Sequence, residues 1–185
     1  MPRPTILAAL VVIVGAVLVF LLVGRSDADD RTGVGPSAEI TTPSDGVLDA
    51  NAVIDRVVDG DTVDVVIDGR EERVRLIGID TPETKKRDTP IECWGPEASA
   101  FTESLLPAGT SVRIERDVVG RDDYGRLLGY VYLVDDGVFV NYELVRQGFA
   151  TPLSIGPNTT FASLFVDAAR AAESDDVGLW ANCPG

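Results

Sequence analysis

The chain has 185 residues, room for one domain with a real core once a leader is set aside. It carries 16 basic against 30 acidic residues, a formal net charge of −14, and no histidine. That balance excludes a protein that grips nucleic acid by charge alone, because such affinity rests on Lys and Arg neutralising phosphates; it leaves open a catalyst with one small cationic pocket, whose general base must be something other than histidine.

Ile6 to Val23 is an uninterrupted apolar run of 18 residues, at the lower limit for a membrane-spanning helix. Arg3 precedes it, and Asp27, Asp29 and Asp30 follow it. Because basic flanks stay in the cytoplasm, the rest of the chain is expected outside it, either anchored to the membrane by residues 1–23 or released by cleavage after Ala28. The run is longer than most cleaved signals, which favours the anchor. Residues 24–50, rich in Gly, Ser, Thr, Pro and Asp, read as an acidic flexible linker. Residues 51–185 then form the domain, with 11 Arg and two Lys against 24 acids, a net of −11. An acidic surface so poor in lysine fits a salt-rich habitat, where screening relieves self-repulsion.

Ala52 to Val58 is rich in β-branched residues and predicts a first strand. Val63, Val65 and Ile67 alternate with Asp64 and Val66 in a second, and Asp68-Gly69 makes the hairpin turn. Arg70 to Ile79 predicts a third, with Val74 and Leu76 on one face and Arg73, Arg75, Ile77 and Ile79 on the other. Thr84 to Cys93 reads as a loop. It opens on Lys85-Lys86-Arg87, either a solvated run or a basic flap for a nucleic-acid backbone. Pro96 starts a helix with Ala98, Phe101 and Leu105 on a shared face, ended by Pro107-Ala108-Gly109. Val112 and Ile114 mark a fourth strand, and Leu127 to Val134 a fifth. Asn141 is expected to cap a short helix through Gln147, with Gly148 past its end. Phe161, Leu164, Phe165 and Ala168 predict the last helix. Five short strands with a helix between the third and fourth, and three helices in all, is the layout of an α+β, mainly β, OB-type barrel. Asn158-Thr159-Thr160 matches a glycosylation triplet, a pattern frequent by chance.

An exported domain lies in an oxidising compartment, so its two cysteines, Cys93 and Cys183, are expected to pair. That bond would tie the C-terminal tail to the segment before the first helix. Two cysteines without histidine cannot fill a zinc site.

The polar residues that carry chemistry fall in three runs. Asp61 and Asp80, with a backbone carbonyl such as that of Thr81, offer an all-oxygen site suited to calcium or magnesium. Glu83 stands three residues past Asp80, placed to take a proton from water. Arg75 and Arg126 can each fork onto phosphate oxygens and stabilise charge that builds on them. Taken singly, each has a structural reading: a hairpin turn for Asp-Gly-Asp, a surface acid for Glu83, an ion pair for either arginine. Together they are the parts of a phosphodiester hydrolase.

The runs Asp59-Gly60-Asp61-Thr62, Arg75-Leu76-Ile77-Gly78-Ile79-Asp80-Thr81-Pro82-Glu83, Trp94-Gly95-Pro96-Glu97-Ala98, Asp123-Tyr124-Gly125-Arg126 and Leu144-Val145-Arg146-Gln147-Gly148 occur in order. In this the chain, from about Ala52 to Asn182, resembles the staphylococcal (micrococcal) nuclease family. The resemblance implies an OB barrel that binds calcium and cleaves DNA and RNA at the bond to the 5′-oxygen. It implies that Asp61, Asp80 and the Thr81 carbonyl hold the ion, that Glu83 assists the attacking water, that Arg75 and Arg126 bind phosphate, and that Tyr124 lies near a terminal phosphate. Two departures stand out. Asp123 replaces a basic residue before the tyrosine, and Thr151 to Gly156 lacks the aromatics that stack on the base in the family's type member. A catalyst of this kind is expected to act as a monomer. The rival readings are a non-catalytic nucleic-acid or protein binding module and a cell-surface protein that uses the barrel only as scaffold; the complete set of ion, base and arginine positions argues against both.

Overall fold

The computed structural model describes residues 48–85 and 90–184. The leader, all but the last three residues of the linker, and Lys86-Arg87 of the basic run lie outside the described residues. β1 (Ala52–Asp59), β2 (Thr62–Ile67) and β3 (Arg70–Leu76) form a meander. A short β4 (Gly78–Asp80) follows, then α1 (Gly95–Leu105), β5 (Ser111–Glu115) and β6 (Leu127–Leu133). The chain ends with α2 (Val140–Arg146), β7 (Thr151–Leu153), α3 (Ala162–Ser174) and α4 (Leu179–Asn182).

Five strands close into a barrel in the order β1-β2-β3-β6-β5, with β5 returning to β1. All pairs are antiparallel except β3 with β6. This is the OB-type barrel expected from the element order. Its interior is filled by the alternating residues Ile54, Val63, Val65, Val74, Leu76, Val112, Ile114 and Val131, all buried. Their opposite neighbours carry charge. Asp64 takes two hydrogen bonds from Arg73 across the β2–β3 pair and pairs with Arg56 on the other side. The helices cap the barrel through a second, aromatic cluster in which Tyr130, Phe139, Phe161 and Phe165 meet edge to face or tilted.

The third strand differs from its expectation. It stops at Leu76, and Gly78 turns the chain with φ of +81° into β4, which leaves the barrel to pair with β7. The corner changes the alternation, so Ile77 and Ile79 are buried together with Val74 and Leu76 instead of lying on one face with Arg73. A Cβ at Gly78 would run into the ring of Phe165, so the turn needs glycine on both conformational and steric grounds. Asn141 explains how the corner survives inside the core. It is not a cap: it lies within α2, whose N-cap is Phe139, and is fully buried. Its side-chain amide donates to the Ile77 carbonyl at 2.9 Å and its oxygen accepts the Val131 N–H at 2.9 Å, satisfying groups that a broken strand would orphan.

Two further corrections concern the second half. β7 and the one-turn α4 were not expected: a three-residue strand containing Pro152 has no legible period, and it survives because Pro152 sits on a two-stranded edge. α3 buries Phe165, Ala168, Ala169 and Ala172, whereas Leu164 is 39% exposed and Phe161 precedes the helix. Asn158 is buried, exchanging hydrogen bonds with the backbone of Val119, and so is no acceptor for a glycan. Cys93 and Cys183 are joined as expected, with Cα atoms 5.8 Å apart. Among the described residues no helix is long and apolar enough to cross a membrane.

Candidate active site

The Asp59-Gly60-Asp61-Thr62 turn joins β1 to β2 at the end of the barrel where β3 breaks. Its Asp61 carbonyl accepts the Leu76 N–H at 2.8 Å, which fixes the turn against the end of β3. On its far side the Thr102 hydroxyl of α1 donates to the Gly60 carbonyl at 2.6 Å. The turn is then closed over β4. A Cβ on Gly60 would lie 2.6 Å from Thr81 Oγ1 and 2.8 Å from Thr81 Cβ. Only glycine lets Thr81 come this close.

The Asp61 side chain, in a residue only 6% exposed, is the centre of the arrangement. Its Oδ2 accepts from the Thr81 N–H at 3.0 Å and the Thr81 hydroxyl at 3.1 Å; its Oδ1 accepts from the Thr62 hydroxyl at 3.1 Å. Arg75 Nη2 stands 3.0 Å from Asp61 Oδ2 and 2.8 Å from Asp80 Oδ1, so one guanidinium nitrogen bridges both carboxylates. Burial pushes the Asp61 carboxyl up to about 6. Arg75 and the Thr81 amide oppose that rise, and Asp59 and Asp80 add to it. Asp80 is raised too, first by burial and then by Glu92, Glu83 and Asp59, against the pull of Arg75. A buried carboxylate, Asp61, beside a more exposed one, Asp80, with further acids around them, makes a place that favours a cation. The donor set is all oxygen, as a hard ion such as calcium requires. Among the described residues no third Asp, Glu, Cys or His joins them, so further ligands would have to come from Thr81 and water.

Arg75 differs from an arginine free to meet phosphate. Its Nη1 donates to the carbonyls of Leu76 at 2.6 Å and Ile79 at 3.1 Å, so the guanidinium wraps the strand corner. Its side chain keeps 13% exposure and still lines an open hollow of about 450 Å³. Arg126 stands on the other wall of this hollow with Tyr124. Its Nε donates to Asp122 Oδ2 at 2.7 Å, and among the described residues its two terminal nitrogens donate to nothing. The Arg126 guanidinium carbon lies 5.5 Å from the centre of the Tyr124 ring, a cation–π distance, and Tyr124 is 87% exposed. Asp122, which the sequence reading passed over, organises both. Its Oδ1 accepts the backbone N–H groups of Tyr124 and Arg126 at 3.0 and 2.9 Å. An Asp three residues before a glycine is the ordinary start of a turn, and that signal was there to be read. Burial raises the Asp122 carboxyl, and the Arg126 and backbone donors outweigh it, leaving the group below the usual range. Asp123 is exposed on the rim, and the far wall is aliphatic, with Leu153 and Ile155 exposed where aromatics are missing.

Glu83 lies past Pro82 in the segment that follows β4. Its Oε1 accepts the backbone N–H groups of Thr84 and Lys85 at 3.0 and 2.9 Å. The carboxylate is thus held on its own loop, half-buried, near Asp80.

The comparisons with known proteins follow this geometry. Residues 73–182 match the family model described as Staphylococcal nuclease homologue. A Thermonuclease of Staphylococcus intermedius is 38% identical over 148 residues, which cover 80% of this chain and 84% of that protein. A Thermonuclease of Staphylococcus hyicus is 39% identical over 127 residues, 69% of this chain and 73% of that one. Endonuclease YncB of Bacillus subtilis (strain 168) is 37% identical over 132 residues, 70% of this chain and 61% of that one.

Proposed function

This chain belongs to the staphylococcal nuclease family, and we propose that it is a calcium-dependent nuclease that hydrolyses DNA and RNA at the bond to the 5′-oxygen. It is an enzyme of phosphodiester hydrolysis, and its substrate is nucleic acid. The observation that carries the finer reading is the pair of carboxylates, Asp61 and Asp80, converging on one guanidinium nitrogen of Arg75, which itself lines a hollow shared with Arg126.

In this reading Asp61, Asp80 and Thr81 hold the calcium ion. When bound, the ion supplies a cation that offsets phosphate charge and orients water. Arg126 offers its terminal nitrogens, which donate to nothing among the described residues, to the phosphate, and Asp122 keeps its fork aimed. Arg75 holds the two carboxylates together and presents positive charge to the same hollow. Glu83 accepts the proton of the attacking water. Tyr124 packs beside the phosphate-binding arginine, and Leu153 and Ile155 give the base an aliphatic wall. Contacts of this kind address phosphate rather than base edges, so sequence tolerance is broad. The basic residues at the hollow are few, which suits a catalyst that releases its product better than a passive binder. The protein acts as a monomer outside the cytoplasm, held at the membrane by residues 1–23 or released from it.

Glu83→Gln tests the assignment. The amide cannot take a proton but keeps the oxygen that accepts the Thr84 and Lys85 amides. Turnover should fall by ~10²–10⁴-fold, with the melting temperature unchanged. Near-normal turnover would show that Glu83 is not the base.

A further inference from the structure

Glu83 sits outside regular secondary structure, and a general base must be held in place to be useful. The structure shows what holds it. The Glu83 N–H donates to Glu92 Oε2 at 2.9 Å, and the Glu92 N–H donates to the Glu83 carbonyl at 3.0 Å. Because the Glu83 carboxylate accepts the amides of its own loop, its aim follows the backbone that Glu92 grips. Both Glu92 and Cys93 are exposed, and hydrogen bonds open to water hold a loop weakly by themselves. A covalent link begins at the next residue. Cys93 is bonded to Cys183, 90 positions on.

The far end of that link is well anchored. The Cys183 N–H donates to the Leu179 carbonyl at 2.9 Å, and the Leu179 N–H donates to the Gly148 carbonyl at 2.8 Å, beside the end of α2. On the near side, the Gly95 N–H donates to the Glu92 carbonyl at 3.1 Å. A Cβ on Gly95 would come within 2.7 Å of Thr84 Cγ2 and 3.2 Å of the Glu83 carbonyl, so the Glu83 segment rests directly on the start of α1. Glu92 is therefore fixed from one side by α1 and from the other by the disulfide.

We propose that Glu92 and the Cys93–Cys183 disulfide are positioning elements for Glu83, and that they make hydrolysis responsive to redox state, with the oxidised protein as the active form. This rests on the reading of Glu83 as the base. A dithiol reaches the exposed Cys93 side of the bond and donates two electrons and two protons. The S–S bond breaks, two protein thiols form, and the dithiol leaves as its own disulfide. Glu92 then loses its covalent support, and Glu83 loses its fixed aim. Neither cysteine is among the residues that fill the barrel interior, so the fold is expected to outlast the change.

The test measures kcat and KM on single-stranded DNA with calcium, alongside far-ultraviolet circular dichroism. The samples are the oxidised protein, the protein reduced with dithiothreitol, Cys93→Ser/Cys183→Ser, Glu92→Ala, Glu92→Gln and Glu83→Gln. Reduction, the double serine variant and Glu92→Ala should each lower kcat roughly ten- to hundredfold, with KM changed less than about twofold and the dichroism spectrum kept. Glu92→Gln retains an acceptor oxygen for the Glu83 amide and should keep kcat near the oxidised value, which separates the hydrogen bond from the charge. Reoxidation should restore the reduced protein, and the double serine variant should ignore the dithiol. If Glu83→Gln is inactive while folded Glu92→Ala and reduced protein turn over normally, the positioning role is wrong and the base survives. If Glu83→Gln is itself active, the base assignment fails and takes this inference with it. Should reduction unfold the protein, Glu92→Ala and Glu92→Gln decide, since neither touches the disulfide.

Discussion

Gly60 is a tight point of the site, and its role is steric. Thr81 packs where a Cβ would go, which lets its amide and hydroxyl both reach Asp61. Gly60→Ala should push Thr81 away, costing ~1–3 kcal/mol of stability and at least tenfold in apparent calcium affinity. Calcium titration of activity beside a urea melt checks this; an alanine variant with wild-type affinity would mean that Thr81 plays no part in the ion site. That Asp61, Asp80 and Thr81 lie together was legible from sequence, because hard-ion chemistry leaves few residue types to choose from. Glu92 and Thr102 were not. Each works by hydrogen-bonding a backbone group elsewhere, Thr102 across 42 residues to Gly60, and such partnerships leave no local pattern. Arg75 was legible as a cation but not as a corner brace, since the broken strand that it wraps was itself unseen.

The β3–β4 corner is the element on which the site depends. It carries Arg75 into the wall of the hollow and Asp80 within 2.8 Å of the Arg75 guanidinium, and Asn141 pays for the interruption by pairing the freed backbone groups. Asn141→Ala would leave a buried carbonyl and a buried N–H unpaired. We expect a loss of ~2–4 kcal/mol in chemical denaturation, with activity falling through misplacement of Asp80. Asn141→Asp should be no better, because a carboxylate cannot donate to the Ile77 carbonyl. A variant of unchanged stability would show that water replaces the amide. The barrel strands were readable because each runs for five or more residues with a stretch or an alternation of apolar side chains. β4 and β7, three residues apiece, have no period to read, and Gly78 looks like one more residue of a continuous run until Phe165 is seen against it. Asn141 misled for a related reason: an Asn ahead of a helical run signals a cap, and burial overrode the signal.

At the scale of the molecule, an acidic chain is held together by carboxylates that accept hydrogen bonds. Burial raises Asp117, and the donors it meets, the Thr160 N–H and hydroxyl, the Tyr130 hydroxyl and the Val118 N–H, outweigh that and leave it below the ordinary range, as in Asp122. Arginine hydrogen bonds lower Asp64, Glu72 and Glu143. A group whose folded value is lowered contributes stability that is present above its unfolded value, ~4, and lost as pH falls through the folded value. Asp61 and Asp80 shift the opposite way and so cannot drive acid unfolding. The urea midpoint should therefore fall steeply only below about pH 4. Asp117→Asn should flatten that limb; an unaltered slope would remove Asp117 from the account.

The most direct test of that account is hydrolysis of single-stranded DNA by the oxidised protein, with calcium and with a chelator, followed by analysis of the product ends. Cleavage that needs calcium, stops with the chelator and leaves 5′-hydroxyl and 3′-phosphate ends is the predicted result, because the bond to the 5′-oxygen breaks. Cleavage indifferent to the chelator, or a folded protein that binds calcium and cuts nothing, would contradict the roles given to Asp61, Asp80 and Glu83.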